Sequence, residues 1–165
     1  MNASDGTATR SVLIVANQTA GGVHLRDALL ARAVVWPTTF TLVVPATPPP
    51  EGWTWSEDEA HRLAARRLHL AIARLRAAGL DVTGRLGDHD PMEAVADALL
   101  REPFDEIVLS TLPAGLSRWL RSDLPSRMRR RFATALTVVT ADGPDALPQR
   151  SEPLVGSPIR LDMPA

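Results

Sequence analysis

Residues 104–126 read FDEIVLSTLPAGLSRWLRSDLPS. The segment starts with β-type residues, passes through small and hydroxyl-bearing residues with a single glycine, and ends in an arginine-rich helical pattern introduced by an aspartate. A strand that turns directly into a helix is half of a βαβ unit, and parallel strands need such helical crossovers. The rest of the chain repeats the unit.

SVLIVAN (11–17) and TFTLVVPA (39–46) are continuous apolar runs rich in β-branched residues, as expected of strands buried on both faces. LDVTGRLG (80–87) is more polar and suits a sheet edge, and ALTVVT (135–140) closes the series. Between them lie helical patterns. Leu25, Ala28, Leu29 and Ala33 fall at helical spacing before Pro37 stops the run. Ser56 and Glu59 form a capping box that opens a helix over about 56–78, with Gly79 as its C-terminal stop. Its apolar stripe is Ala60, Leu63, Ala64, Leu68, Ala71, Ile72 and Leu75. Asp90-Pro91-Met92-Glu93 starts a helix running to about Arg101, and the last helix spans roughly Asp123 to Phe132.

This order predicts one doubly wound α/β domain over 11–140, a five-stranded parallel sheet of order 3-2-1-4-5 with helices on both faces. Residues 1–10 read as a flexible N-terminus and 141–165 as a proline-rich tail. In such sheets ligands sit beyond the carboxyl ends of the strands, where the strand order reverses. The turns after strands one (ANQT, 16–19) and four (LSTLPAG, 109–115) flank that crevice.

Composition limits the chemistry. The chain has 165 residues, 45% hydrophobic and 22% charged, with a formal net charge of −1, so no bulk attraction to nucleic acid or membrane is expected. It contains no cysteine, which excludes disulfides and thiolate chemistry and suits a reducing cytoplasm. MNASDGTATR has no secretory pattern, and no apolar run reaches the roughly 20 residues of a membrane span. All 18 basic residues are arginine, a compositional bias that weakens any argument from a single arginine.

The two turns, together with LGDHDPMEAVADAL (86–99), resemble the universal stress protein family over about residues 11–140. The resemblance implies a five-stranded parallel sheet, dimers through the last strand, and a family with nucleotide-binding and non-binding branches. The binding branch has an aspartate after strand one and Gly-x2-Gly-x9-Gly-(Ser/Thr) after strand four, followed by an apolar residue. Here Asn17 stands at the aspartate, Leu109 and Leu112 at the first two glycines, and Ser122-Asp123 at the Gly-Ser pair. Leu124 keeps the apolar position, Thr19 keeps a hydroxyl after strand one, and Gly87-Asp88 matches the Gly-Asp before the third helix.

Phosphate loops use glycines to admit backbone N–H groups to the ligand, and a leucine forced into αL costs about 1–2 kcal/mol. Asp123 is expected to occupy the helix N-terminal donors itself. A phosphate about 4 Å from it meets roughly 4 kcal/mol of repulsion at an effective dielectric of about 20. The expectation is a homodimeric regulatory or binding module in which ATP binding is lost or weak and no cofactor is needed. The alternative is retained binding of ATP, AMP or a small anion in a remodelled crevice. Asn17, Thr19, Gly87, Ser110, Thr111, Gly115, Arg118, Ser122, Asp123 and Leu124 are its candidate residues. Ser110, Thr111, Ser117 and Gly115 are the donors or close-approach points left in the turn, with Arg118 and Arg121 beside them. The bland reading is that these hydroxyls satisfy the turn backbone and the arginines are solvated.

Other features carry less. Asp88-His89-Asp90 reads as a helix cap before it reads as a metal cluster, and His61 and His69 lack metal-ligand spacing. His24 lies near the crevice with no partner that the sequence names. The run from Ser126 to Arg131 reads as a solvated helix, Trp119 as an anchor for the turn, and Trp53 and Trp55 as a sheet-edge cover or a partner surface. No nucleophile elbow and no carboxylate pair supports catalysis.

Overall fold

The computed structural model describes residues 8–48 and 56–142. The readings of residues 1–7, of Trp53 and Trp55, and of the tail from 143 onward lie outside the described residues. The elements are β1 (Arg10–Val15), α1 (Val23–Val35), β2 (Thr38–Pro45), α2 (Glu57–Ala77), β3 (Asp81–Gly87), α3 (Pro91–Arg101), β4 (Glu106–Thr111), α4 (Arg118–Arg121), α5 (Leu124–Arg131) and β5 (Ala135–Thr140). All strand pairs are parallel and the order is β3-β2-β1-β4-β5. Both edges fall where the patterning puts them, with the polar β3 on one side and β5 on the other.

The alternation of side chains along each strand builds two cores. Val12, Ile14, Phe40, Leu42, Val44, Val82 and Val108 point to the face covered by α1 and α2. Leu13, Val15, Val43, Ile107 and Leu109 point to the face covered by α3 and α5. Every one of these residues is essentially inaccessible to water, and each contributes on the order of 1.5–3 kcal/mol by burial. A period of two with both faces apolar is why the strands read as unbroken hydrophobic runs.

The helix boundaries follow their signals. Ser56 and Glu59 form the reciprocal capping box, and Gly79 ends α2 with φ of 87°. Asp90 caps α3 by accepting from the Met92 N–H at 2.8 Å, with Pro91 in the first turn.

Two local expectations are corrected at the end of β4. The single turn α4 was not anticipated, because four residues are too few for a helical period to register. It is capped by Ser117, whose Oγ accepts from the Leu120 N–H at 3.1 Å. Asp123, expected to cap the following helix, makes no side-chain capping bond. Its backbone sits at φ 54° and ψ 36°, in the left-handed region, because the chain must reverse between α4 and α5. A capping side chain needs an extended backbone at that position, so the reversal disengages the carboxylate.

At the opposite end of the sheet, α1 is fastened by a mostly buried ion pair. Arg32 donates to both carboxylate oxygens of Glu106, at 2.9 and 2.6 Å, and Thr137 Oγ1 donates to the same carboxylate at 2.7 Å. The Arg32 hydrogen bonds, reinforced by Thr137 and by the nearby charge of Arg10, hold Glu106 below the usual carboxylate pKa, against a burial effect that raises it. A depressed folded-state pKa means that this stabilisation is fully present above the unfolded value and is lost as pH falls through the folded one. Glu106→Gln is expected to destabilise the fold by roughly 2–3 kcal/mol, below the 3–5 kcal/mol of fully buried pairs because Arg32 keeps some contact with water. Denaturant melts of both proteins check this. The difference should be largest near neutrality and should shrink progressively below about pH 4, as the carboxyl protonates first in the unfolded chain and then, at lower pH, in the folded protein.

Candidate functional site

The carboxyl ends of β1 and β4 face a cavity of about 280 Å³. It is bordered by the turn after β1, the loop after β2, one side of α2, and the β4–α4 turn with α4 itself. The strand order reverses between β1 and β4, so the cavity lies where the topology of the sheet predicts a ligand site.

The floor is a set of buried hydroxyls. Ser110 Oγ donates to Thr19 Oγ1 at 2.8 Å and lies 3.0 Å from His24 Nε2, which gives His24 the partner that the sequence left unnamed. Thr111 Oγ1 is hydrogen-bonded to Ser117 Oγ. All four hydroxyl residues are at most 4% exposed, so they shape the floor more than they reach into the space above it. The bland reading of these hydroxyls therefore holds only in part: Ser117 does cap backbone, but Ser110 and Thr19 are spent on each other.

The walls are partly apolar, formed by Leu63, Leu112, Leu116, Pro48 and Trp119. Trp119 also packs against the core beneath α3 and α5, as an anchor of the turn should. Neither leucine standing at a motif glycine is strained. Leu109 points into the core and Leu112 lines the cavity, and the single non-glycine with positive φ among the described residues is Asp123. The turn takes a course that does not need the left-handed backbone which glycine would permit.

The charge comes from three arginines. Arg67 of α2 and Arg118 and Arg121 of α4 line the cavity, while no carboxylate does among the described residues. Arg118 Nη1 donates to the Pro48 carbonyl at 3.1 Å, tying the β4–α4 turn to the loop after β2. Arg67 Nη1 donates to Asn17 Oδ1, and Asn17 Nδ2 donates to the Pro45 carbonyl at 3.2 Å. These two partners are of opposite polarity, so they fix which end of the Asn17 amide is the oxygen. Burial lowers the pKa of the Arg67 guanidinium, with no opposing carboxylate effect, yet an arginine stays charged at any pH the protein meets.

Of the residues singled out from sequence, Asn17, Thr19, Ser110, Thr111 and Arg118 come together around this cavity. Gly87, Gly115, Ser122, Asp123 and Leu124 do not line it. Leu124 is buried in the core under α5, and Ser122 Oγ donates to the Trp119 carbonyl at 3.2 Å. A Cβ on Gly115 would meet open space. Gly87 is a packing residue: a Cβ there would lie 2.7 Å from Ala94 Cβ and from Val43 Cγ1. No group of three His, Asp or Glu suited to a metal ion occurs among the described residues, and none of their helices is long and apolar enough to cross a membrane.

Sequence reasoning missed Arg67. The signal was present: Ala60, Ala64, Arg67 and Ala71 follow the i, i+4, i+7, i+11 ladder of a buried helix face, and one rung is a cation. Arg121 was noted only as a neighbour of the turn.

No family model and no curated protein sequence matches the chain. Solved structures do. A universal stress protein in complex with cAMP superposes with a TM-score of 0.54 at 20% identity, covering 79% of this chain and 96% of that one. A protein of the universal stress protein family from Burkholderia pseudomallei gives 0.59 at 19% identity, covering 79% and 96%. The universal stress protein from Archaeoglobus fulgidus in complex with dAMP gives 0.54 at 16% identity, covering 81% and 98%. The fold is that of the universal stress proteins.

Because Gly87 holds α3 against β2 and β3 and does not face the cavity, Gly87→Ala is expected to act on stability alone. Overpacking of this kind costs about 1–3 kcal/mol. Thermal unfolding checks the loss, and a ligand affinity unchanged from wild type in the folded variant checks that the glycine is not part of the site.

Proposed function

We propose that the protein is a non-catalytic binding module of the universal-stress-protein type whose crevice takes a compact organic anion of the nucleoside monophosphate class. The observation that carries this reading is the excess of positive charge. Three arginines line the cavity and no described carboxylate lines it. Guanidinium groups suit phosphate oxygens, to which they can donate in pairs. Apolar walls with Trp119 among them suit a planar or hydrophobic remainder. The volume, about 280 Å³, lies just below the roughly 300–1,000 Å³ of most small-molecule pockets and favours a monophosphate over a longer chain. Two structures of this fold hold cAMP and dAMP.

Binding of ATP is weak in this reading. A polyphosphate that extends to the start of α5 reaches the exposed Asp123 carboxylate and a first turn in which Pro125 lacks an N–H. Of the two expectations drawn from the sequence, the geometry favours the remodelled crevice, because Asp123 stands outside the cavity and the arginines inside it.

The module acts as a homodimer through the free edge of β5, whose residues from Leu136 to Thr140 are only half-buried, in the cytoplasm and without nucleic acid or membrane as partner. Isothermal titration calorimetry tests the ligand. AMP is expected to bind with a dissociation constant in the tens of micromolar, about −6 kcal/mol, and ATP at least tenfold more weakly, with no phosphate released on incubation. Absence of saturable binding by any monophosphate up to about millimolar concentration overturns the reading. Light scattering tests the assembly, with twice the chain mass expected and a concentration-independent monomer mass as the contrary result.

A further inference from the structure

We propose that Arg67 is the anion-recognising residue of the crevice and that Asn17 holds its guanidinium in place without neutralising it. The inference rests on the reading of the crevice as an anion site. It adds where the charged group of the ligand lies, and what Asn17 does not read.

Arg67 emerges from the face of α2 that is otherwise alanine and leucine, so its stem is packed while its head reaches the cavity. A half-buried guanidinium normally carries a carboxylate partner, because an uncompensated charge away from water is costly. None of the described residues pairs a carboxylate with Arg67, whose hydrogen-bond partner is the neutral amide of Asn17. The amide is in turn anchored on the Pro45 carbonyl at the end of β2. Asn17 thus transmits a fixed position from the sheet to the cation and leaves the charge intact.

A guanidinium has five N–H donors, of which one is used by Asn17, so a phosphate or carboxylate can still be held by a pair of them. The charged group then lies at the β1 end of the crevice, against α2, and not at the start of α5. The remainder of the ligand extends toward Leu112, Leu116 and Trp119, with Arg118 and Arg121 on that side for any second charge. Asn17 is committed to Pro45 and Arg67, so among the described residues Gln18 is the one side-chain amide of the cavity left to reach a base edge. Asn17 is therefore no reader of base identity, whereas the phosphate is essential.

This assignment makes a carboxylate at position 17 harmful. Asn17→Asp would place a negative charge against Arg67, form an ion pair with it and remove the free cation. Calorimetry with AMP, GMP, CMP, ribose 5-phosphate and adenosine tests the proposal, with thermal unfolding confirming that each variant is folded. For the wild type adenosine is expected at least tenfold weaker than AMP, and the relative affinities of the three nucleotides are expected to stay within about threefold of their wild-type ratios in Asn17→Ala. Asn17→Asp is expected to lower AMP affinity at least tenfold and to flatten its dependence on salt. Asn17→Ala, which frees Arg67 but keeps its charge, should lose only about threefold; Arg67→Gln should match the aspartate variant and Arg67→Lys should recover part of the loss. AMP binding to Asn17→Asp as tightly as to wild type, or a strong preference for one base that Asn17→Ala abolishes, would overturn the role of Arg67 and leave the anion site standing. Failure of every anion to bind the wild type overturns both.

Discussion

Burial of the sheet on both faces is the constraint on which the rest depends. Five short strands that are apolar on alternate sides must be covered twice, and a chain of this length can do so only by laying a helix across the sheet after almost every strand. The crossovers make the strands parallel, and parallel strands put all their carboxyl ends on one side. When the order reverses between β1 and β4, the helices that follow those strands leave in opposite directions and the crevice opens between them. The site is thus a by-product of core formation, and the side chains at the strand ends decide what it holds.

Those side chains divide their work by depth. Thr19, Ser110, Thr111 and Ser117 satisfy one another beneath the surface, so the floor is polar without having an unpaired group to offer. The reach into the cavity is left to long side chains from the helices: Arg67 from the α1–α2 layer, Arg118, Arg121 and Trp119 from α4. A ligand would therefore touch both layers. That arrangement explains why the loss of glycines after β4 need not abolish binding. Glycine is required where backbone N–H groups must meet the ligand, and arginine side chains do not impose that condition.

The sequence discloses the sheet well and the crevice only in part. Strand order and the caps at Ser56 and Asp90 are local or topological, and local patterns such as alternation, capping boxes and Gly79 specify them. The turn after β4 is different. Its motif positions suggested crowding by Leu109 and repulsion by Asp123, yet Leu109 faces the core and Asp123 lies outside the cavity. Spacing along a loop does not say which way its side chains point. Arg67 illustrates the converse: its position on an otherwise apolar face is visible in the helical period, but its partner lies 50 residues away in sequence, and no periodicity connects them.

Two half-buried arginines, Arg32 and Arg67, show what compensation decides. At one end of the sheet Arg32 meets Glu106 in a two-pronged pair, further tied to Thr137, and its charge is cancelled. Such a pair locks α1 to β4 and β5 and leaves no uncompensated charge for a ligand. At the other end Arg67 meets an amide and keeps its charge, at a cost in stability that a buried carboxylate would have removed. Burial alone depresses its pKa, whereas at Glu106 the ionic hydrogen bonds outweigh burial. The same residue type therefore serves structure where an acid faces it, and is available for recognition where an asparagine does. Bound phosphate would supply the missing negative charge, so the energy withheld from folding at Arg67 becomes available on binding.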